Sequence, residues 1–263
     1  MTNKNSDGSI QSKLCNKKIA TRHIVNRAHM LVKDKYGIGN YPGTSNEHPG
    51  HDLEHTLMVL LAGDMIYREA IINNKILKHQ IIYIRIGGAL HDIEQDARDL
   101  QGRISPNAEK IANKYKISEG EICNEKISAL ISREMMLETG VFDESDIKTV
   151  ESMIMGTKVY IDKNNRIHQA AENGSYLDKI LADADLAHLG GCLNFFKKSF
   201  EKYLKEKYNG NQRPRKWEIY HEEKEFLEKH EYLTIEAKWL FNLKPINIEF
   251  CKNQIGIHRF SGN

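Results

Sequence analysis

Three short segments carry residue types that bind metals. Gly50-His51-Asp52-Leu53-Glu54-His55 comes first, Ala89-Leu90-His91-Asp92 follows, and Ala182-Asp183-Ala184-Asp185-Leu186-Ala187 comes last. In chain order they read His … His-Asp … Asp, a ligand set for a divalent ion gathered from three separate helices. A lone His-Asp pair means little in a chain with 12 histidines. The surroundings carry the signal. His51 and His55 lie one helical turn apart in a segment that reads as helix, so their imidazoles share a face. His91-Asp92 ends an apolar run that begins at Ile81. An unpaired charge there is costly, and a metal ion would satisfy it. Asp183 and Asp185 follow Lys179-Ile180-Leu181-Ala182, again carboxylates set in apolar sequence.

The elements that must position these side chains read as helices. Proline is rare, at five residues, and alternating strands are absent, so the expected class is all-α. Apolar spacing predicts a first helix over 18–36, with Ile24, Val25, Ala28, Leu31 and Val32 on one face. A second should start near His51 and carry Leu57, Val59, Leu60, Leu61, Met65 and Ile66. Further helices fit 76–92, 108–115, 119–138, a segment capped by Ser145 or Asp146 and ending near Met155, then 176–188, 191–208, 216–230 and 234–242. The stretches 37–50, 96–107, 160–174 and 209–214 read as loops or turns. Residues 1–16 are expected to be a disordered leader, 17–250 one domain and 251–263 a tail.

Composition narrows the function classes. A net charge of +2 argues against a general nucleic-acid binder, which concentrates basic residues. The four cysteines are scattered with no Cys-x-x-Cys, as expected for reduced thiols rather than a disulfide framework or zinc knuckle. No apolar stretch reaches the roughly 18 residues a membrane span needs. Residues 1–11 lack the apolar core of a secretory signal, so a cytoplasmic protein is expected.

The motifs resemble the HD superfamily of metal-dependent phosphohydrolases, in its bacterial, poorly specified branch. The matching residues are His55, His91, Asp92 and Asp185. Asp185-Leu186-Ala187 is similar to the Asp-Leu-Ser of the cyclic-nucleotide phosphodiesterase branch. His51 to His55 resembles that branch's His-Asn-x-x-His, whose second histidine binds metal and whose first protonates the leaving oxygen. Asp52 stands where asparagine is usual. Asn124-Glu125-Lys126-Ile127-Ser128 resembles a recurrent Asn-Glu-x-x-Ser, and Met153-Ile154-Met155-Gly156-Thr157 an Ile-x-x-Thr helix end. The segment from His230 to Ala237 resembles the closing helices. The resemblance spans roughly residues 18–247 and implies an HD-domain helical bundle.

It also implies a chemistry. A divalent ion (Mn, Mg, Fe, Co, Ni or Zn) would be held by His55, His91, Asp92 and Asp185. Such an ion lowers the pKa of its water toward about 7 and polarises a phosphoryl group. His51 would be the catalytic acid. Asp92 would also be catalytic, able to bridge to a second ion. Only His168 lies between Asp92 and Asp185, so one ion is expected. Glu125 is expected to hold a metal-bound water, with Asp183 a neighbour of the site. Arg98, Arg103, Arg133 and Lys158 are candidates for phosphate contacts, though each also reads as an ordinary surface charge. The expected function is hydrolysis of a phosphoester of a small metabolite or nucleotide, with a homodimer allowed. The alternative is a non-catalytic metal- or nucleotide-binding regulatory module of HD fold.

Overall fold

Helix α1 (Asn5–Tyr36) meets no proline and runs until Gly37, whose φ of 86° suits glycine. In a computed structural model of the chain, residues 5–37, 50–98, 102–208 and 214–260 are described. Ala20, Ile24, Ala28, Val32 and Tyr36 recur at every fourth position, and all are buried. Leu31, expected on that face, is exposed. The helix also takes in 5–16, which composition assigned to a leader. Lys17 is fixed by a 2.5 Å ion pair to Asp146, and adding turns to a fixed stem costs far less than nucleating them.

Helix α2 (Leu53–Ile72) starts two residues later than expected, because Asp52 is its N-cap. A 3₁₀ turn at Lys78–Gln80 shortens the next segment, so α3 spans Ile81–Leu90. Ser105 caps α4 (Pro106–Tyr115), whose proline fits the first turn. Then come α5 (Asn124–Thr139) and α6 (Glu144–Gly156). The cap of α6 is Asp143, not Ser145 or Asp146. Asp146 is buried instead, taking a 2.5 Å hydrogen bond from Tyr83 Oη. Where a polar loop was expected, β1 (Val159–Ile161) and β2 (Ile167–Gln169) form an antiparallel hairpin with Tyr160 opposite His168. Strands of three residues are too short to show an alternation in sequence.

The chain continues with α7 (Tyr176–Asp185), α8 (Leu193–Lys207), α9 (Lys216–Lys229), α10 (Ile235–Leu240) and α11 (Lys244–Phe260). The last replaces the expected tail over 251–263 up to Phe260. It packs on α9, and its buried Asn247 Nδ2 donates to Leu189 O at 2.9 Å and Gly191 O at 3.1 Å. The expected loops at 38–49, 99–101 and 209–213 lie outside the described residues, as do 1–4 and 261–263.

The described residues are thus all-α apart from one hairpin. None of the described helices is long and apolar enough to cross a membrane. The apolar helix α3 is the axis of the main bundle, touching α1, α2, α5, α6 and α7. Glycines allow the closest approaches. A Cβ on Gly63 would lie 2.9 Å from Ile84 Cγ2, and one on Gly87 3.0 Å from Leu181 Cδ2. Both α2 and α7 therefore sit hard against α3. A second apolar cluster joins α4 to α5, and a third joins α8, α9 and α11.

Candidate metal centre

Each expected ligand lies at a helix end. Asp52 caps α2 by accepting a 3.0 Å hydrogen bond from His55 N, which places His55 in the first turn. His91 follows the last residue of α3, Asp92 comes next, and Asp185 closes α7. The start of α2 meets the ends of α3 and α7 at one point. Two helices thus direct their carbonyl ends, with partial negative charge, toward it, and this favours a cation.

The structure brings His55, His91, Asp92 and Asp185 together, with one ligand atom from each lying within 4.8 Å of all the others. His55 Nε2 is 3.3 Å from His91 Nε2, 3.1 Å from Asp92 Oδ2 and 3.1 Å from Asp185 Oδ1. His91 Nε2 is 2.9 Å from Asp92 Oδ2 and 3.3 Å from Asp185 Oδ1. An ion with bonds of about 2.1 Å sets neighbouring ligands about 3 Å apart. The tautomer of His91 also fits: its Nδ1 donates to Gly88 O at 3.0 Å, leaving the Nε2 lone pair turned inward. Asp92 Oδ2 is buried and faces the two imidazole nitrogens. These residues fit a divalent ion. Among the described residues no other group of three or more His, Cys, Asp or Glu converges this way.

Electrostatics points the same way. Burial opposes an imidazolium at His55, yet hydrogen bonds to Asp185 and Asp92 outweigh it and push the group up to about 9. Burial likewise opposes charge on His91, and Asp92 and Asp185 hold it well above the usual imidazole range. Against their own burial, Asp92 is held well below the usual carboxylate range by the charge of His91, and Asp185 by its hydrogen bond to His55. The pocket demands positive charge at its centre, from protons or from a metal.

His51 lies beside this cluster, its ring centroid 5.6 Å from that of His55. Its Nδ1 is 2.7 Å from Glu206 Oε1, and Gly50 N donates to Glu206 Oε2 at 2.8 Å. Burial lowers the affinity of His51 for a proton, but Asp92 and Glu206 more than restore it and raise its pKa. Glu206, on α8, had no signal in the sequence beyond a charged helix face. Asp52 is fully buried and paired with Lys202 Nζ at 2.7 Å. The same lysine reaches Glu54 at 2.7 Å, and Lys198 pairs with Glu54 as well. Thus Asp52 works as a helix cap and an anchor for α8.

Asn124 and Ser128 fix the segment after the His-Asp pair. Ser128 Oγ accepts from Glu94 N at 3.1 Å, and Asn124 Oδ1 from Ala97 N at 3.1 Å. Asn124 Nδ2 donates to Gln95 Oε1 at 3.1 Å, and Gln95 Nε2 donates to Asp92 Oδ1. Gln95, unmarked in the sequence, therefore orients the Asp92 carboxylate. Glu125 lines the same cavity as Asp92 and Gln95 but is not one of the four converging donors.

Asp183 does not support the ligands. It accepts from Leu233 N (2.7 Å), Thr234 N (2.7 Å) and Thr234 Oγ1 (2.6 Å), anchoring the start of α10. His168 is engaged by Glu172 at 2.8 Å and Asp162 at 3.3 Å, so it belongs to the hairpin. Arg98 is spent on the carbonyls of Ile122, Gly102 and Glu119, and Arg133 on Glu144 and Glu151. Neither Arg103 nor Lys158 lines the cavity. His188 does, and its pKa is lowered to about 4 by burial and then by the charge of His55.

His55, Asp92 and Asp185 line a cavity of about 780 Å³, a size typical of small-molecule sites, with His91 buried behind them. Its walls come from α2, the hairpin, α8 and α9. Neither a protein-family model, nor a curated protein, nor a solved structure matches this chain.

Proposed function

We propose that this chain is a metal-dependent phosphohydrolase with the HD ligand set, cleaving a phosphoester of a small molecule. The observation that carries the reading is the convergence of His55, His91, Asp92 and Asp185 beside a cavity that three of them line. Two imidazoles among four donors suit Mn²⁺, Fe²⁺, Co²⁺, Ni²⁺ or Zn²⁺ better than Mg²⁺, which prefers oxygen. Bound there, such an ion supplies acidified water and draws charge from a phosphoryl oxygen.

The remaining roles fall to side chains. Glu206 holds Nδ1 of His51, which leaves Nε2 of the imidazolium as the proton donor. As water oxygen bonds to phosphorus and the ester P–O bond breaks, that proton passes to the departing alcohol oxygen. Gln95 keeps the Asp92 carboxylate in place, and Lys202 keeps the start of α2 in place.

The test is ester hydrolysis, read as phosphate release from nucleotides and from sugar and alkyl phosphates and as ring-opened monophosphate from cyclic nucleotides. Each is offered with Mn²⁺, Co²⁺, Ni²⁺ or Zn²⁺, beside a His91→Ala/Asp92→Ala control. Turnover that the control loses is the expected result. A protein that takes up metal yet hydrolyses none of these esters would overturn the hydrolase in favour of the binding module.

A further inference from the structure

Large apolar side chains are left uncovered around the cavity. Leu61 on α2 is 55% exposed, Met65 on the next turn 39%, and Ile161 on the hairpin 62%. Ile167 and Phe226 extend the same lining from β2 and α9. Leaving such surface in water forgoes stabilisation in proportion to its area, and a ligand that covers it recovers that stabilisation.

The charges of the lining lead to the same ligand. Its lysines are Lys198, Lys202, Lys207 and Lys229. Lys198 and Lys202 pair with Glu54, and Lys202 also with Asp52. Lys207 pairs with Glu222 at 2.9 Å and Lys229 with Glu225 at 2.9 Å. Every lysine of the described lining is thus neutralised from within. A second phosphate would have to displace one of these carboxylates. Sugar hydroxyls laid on Leu61, Met65 and Ile161 would lose water and gain no partner.

We infer that the cavity takes the monophosphate ester of a bulky apolar alcohol, with its one phosphoryl group at the four donors and its apolar body against α2 and the hairpin. This rests on the phosphohydrolase reading for its chemistry and on the cavity wall for its ligand. Burial also pushes Glu223, in the same lining, up to about 7, as a weakly polar interior does.

Alkylphosphonic acids, which water cannot cleave, separate ligand class from turnover. Methyl-, butyl-, hexyl- and octylphosphonate are titrated calorimetrically into the full chain loaded with Mn²⁺. The expected result is binding that tightens about threefold per added methylene. Leu61→Asp flattens that ladder and the milder Met65→Gln shortens it. Leu57→Asp, on the same helix but outside the cavity lining, preserves it. Equal affinity for methyl- and octylphosphonate, or tighter binding of inorganic pyrophosphate than of octylphosphonate, overturns the inference. Phosphate release from octyl phosphate is read separately. A ladder without turnover removes the hydrolase and keeps the ligand class, whereas turnover without a ladder does the reverse.

Discussion

His51 and Glu206 show how a side chain's role depends on a partner far away in sequence. The pair closes across 155 positions at 2.7 Å. Nothing in Lys205-Glu206-Lys207 distinguishes that glutamate from a solvated one, so sequence reasoning reached the imidazole and missed its holder. The four converging residues were legible because a His … His-Asp … Asp set advertises itself by residue type and order. Glu125 lines the cavity beside Asp92, whereas Asp183, expected only as a neighbour of the site, has its own donors, and those decide which way a carboxylate turns. For Asp183 those are backbone groups near Thr234. Replacing Glu206 with glutamine keeps a hydrogen-bond partner but removes the charge that favours the imidazolium. The expected outcome is a kcat lowered about tenfold or more with KM and bound metal unchanged, against a loss of about a hundredfold or more for His51→Ala. Steady-state kinetics with elemental analysis of each variant checks both.

Among the elements, periodicity located most helices but not the start of α1, the hairpin or the end of α11. In α2, Leu61 and Met65 belong to the apolar pattern that marks the helix, and they line the cavity. Apolar residues on both sides of a helix blur its inward face. Residues 251–260 of α11 read as a tail because their apolar pattern is interrupted, with Cys251 buried among exposed and half-buried neighbours. Helix α8 is held to α2 by ions more than by apolar contact. Lys202 is nearly fully buried between Asp52 and Glu54. Lys202→Met leaves the buried Asp52 carboxylate without its cation. It should cost about 3 kcal/mol of stability, seen as a lower urea midpoint with an unchanged slope.

Across the whole molecule, three apolar clusters divide the packing. The class was legible from the scarcity of proline and the helical spacing, but the division was not, because it depends on which helices meet. Glu223 reports on the third unit, which α8, α9 and α11 form. Burial raises it from the ordinary glutamate range to about 7, with Lys207 opposing. Between about 4.5 and 7 the unfolded chain has released this proton and the folded chain retains it. Folding is therefore favoured by this group at the acid side of the window and loses that contribution as pH rises through it. Glu223→Gln should flatten this part of the profile and raise the melting temperature relative to the parent at pH 8. Thermal melts at intervals from pH 4.5 to 8 decide it.

All four ion ligands come from the central bundle, while Glu206 belongs to the unit behind Lys202 and Lys198. On the proposed reading, damage to α8 or to the helices packed on it would silence the protein while an ion stays bound, so metal content alone would be a misleading sign of health in a collection of variants.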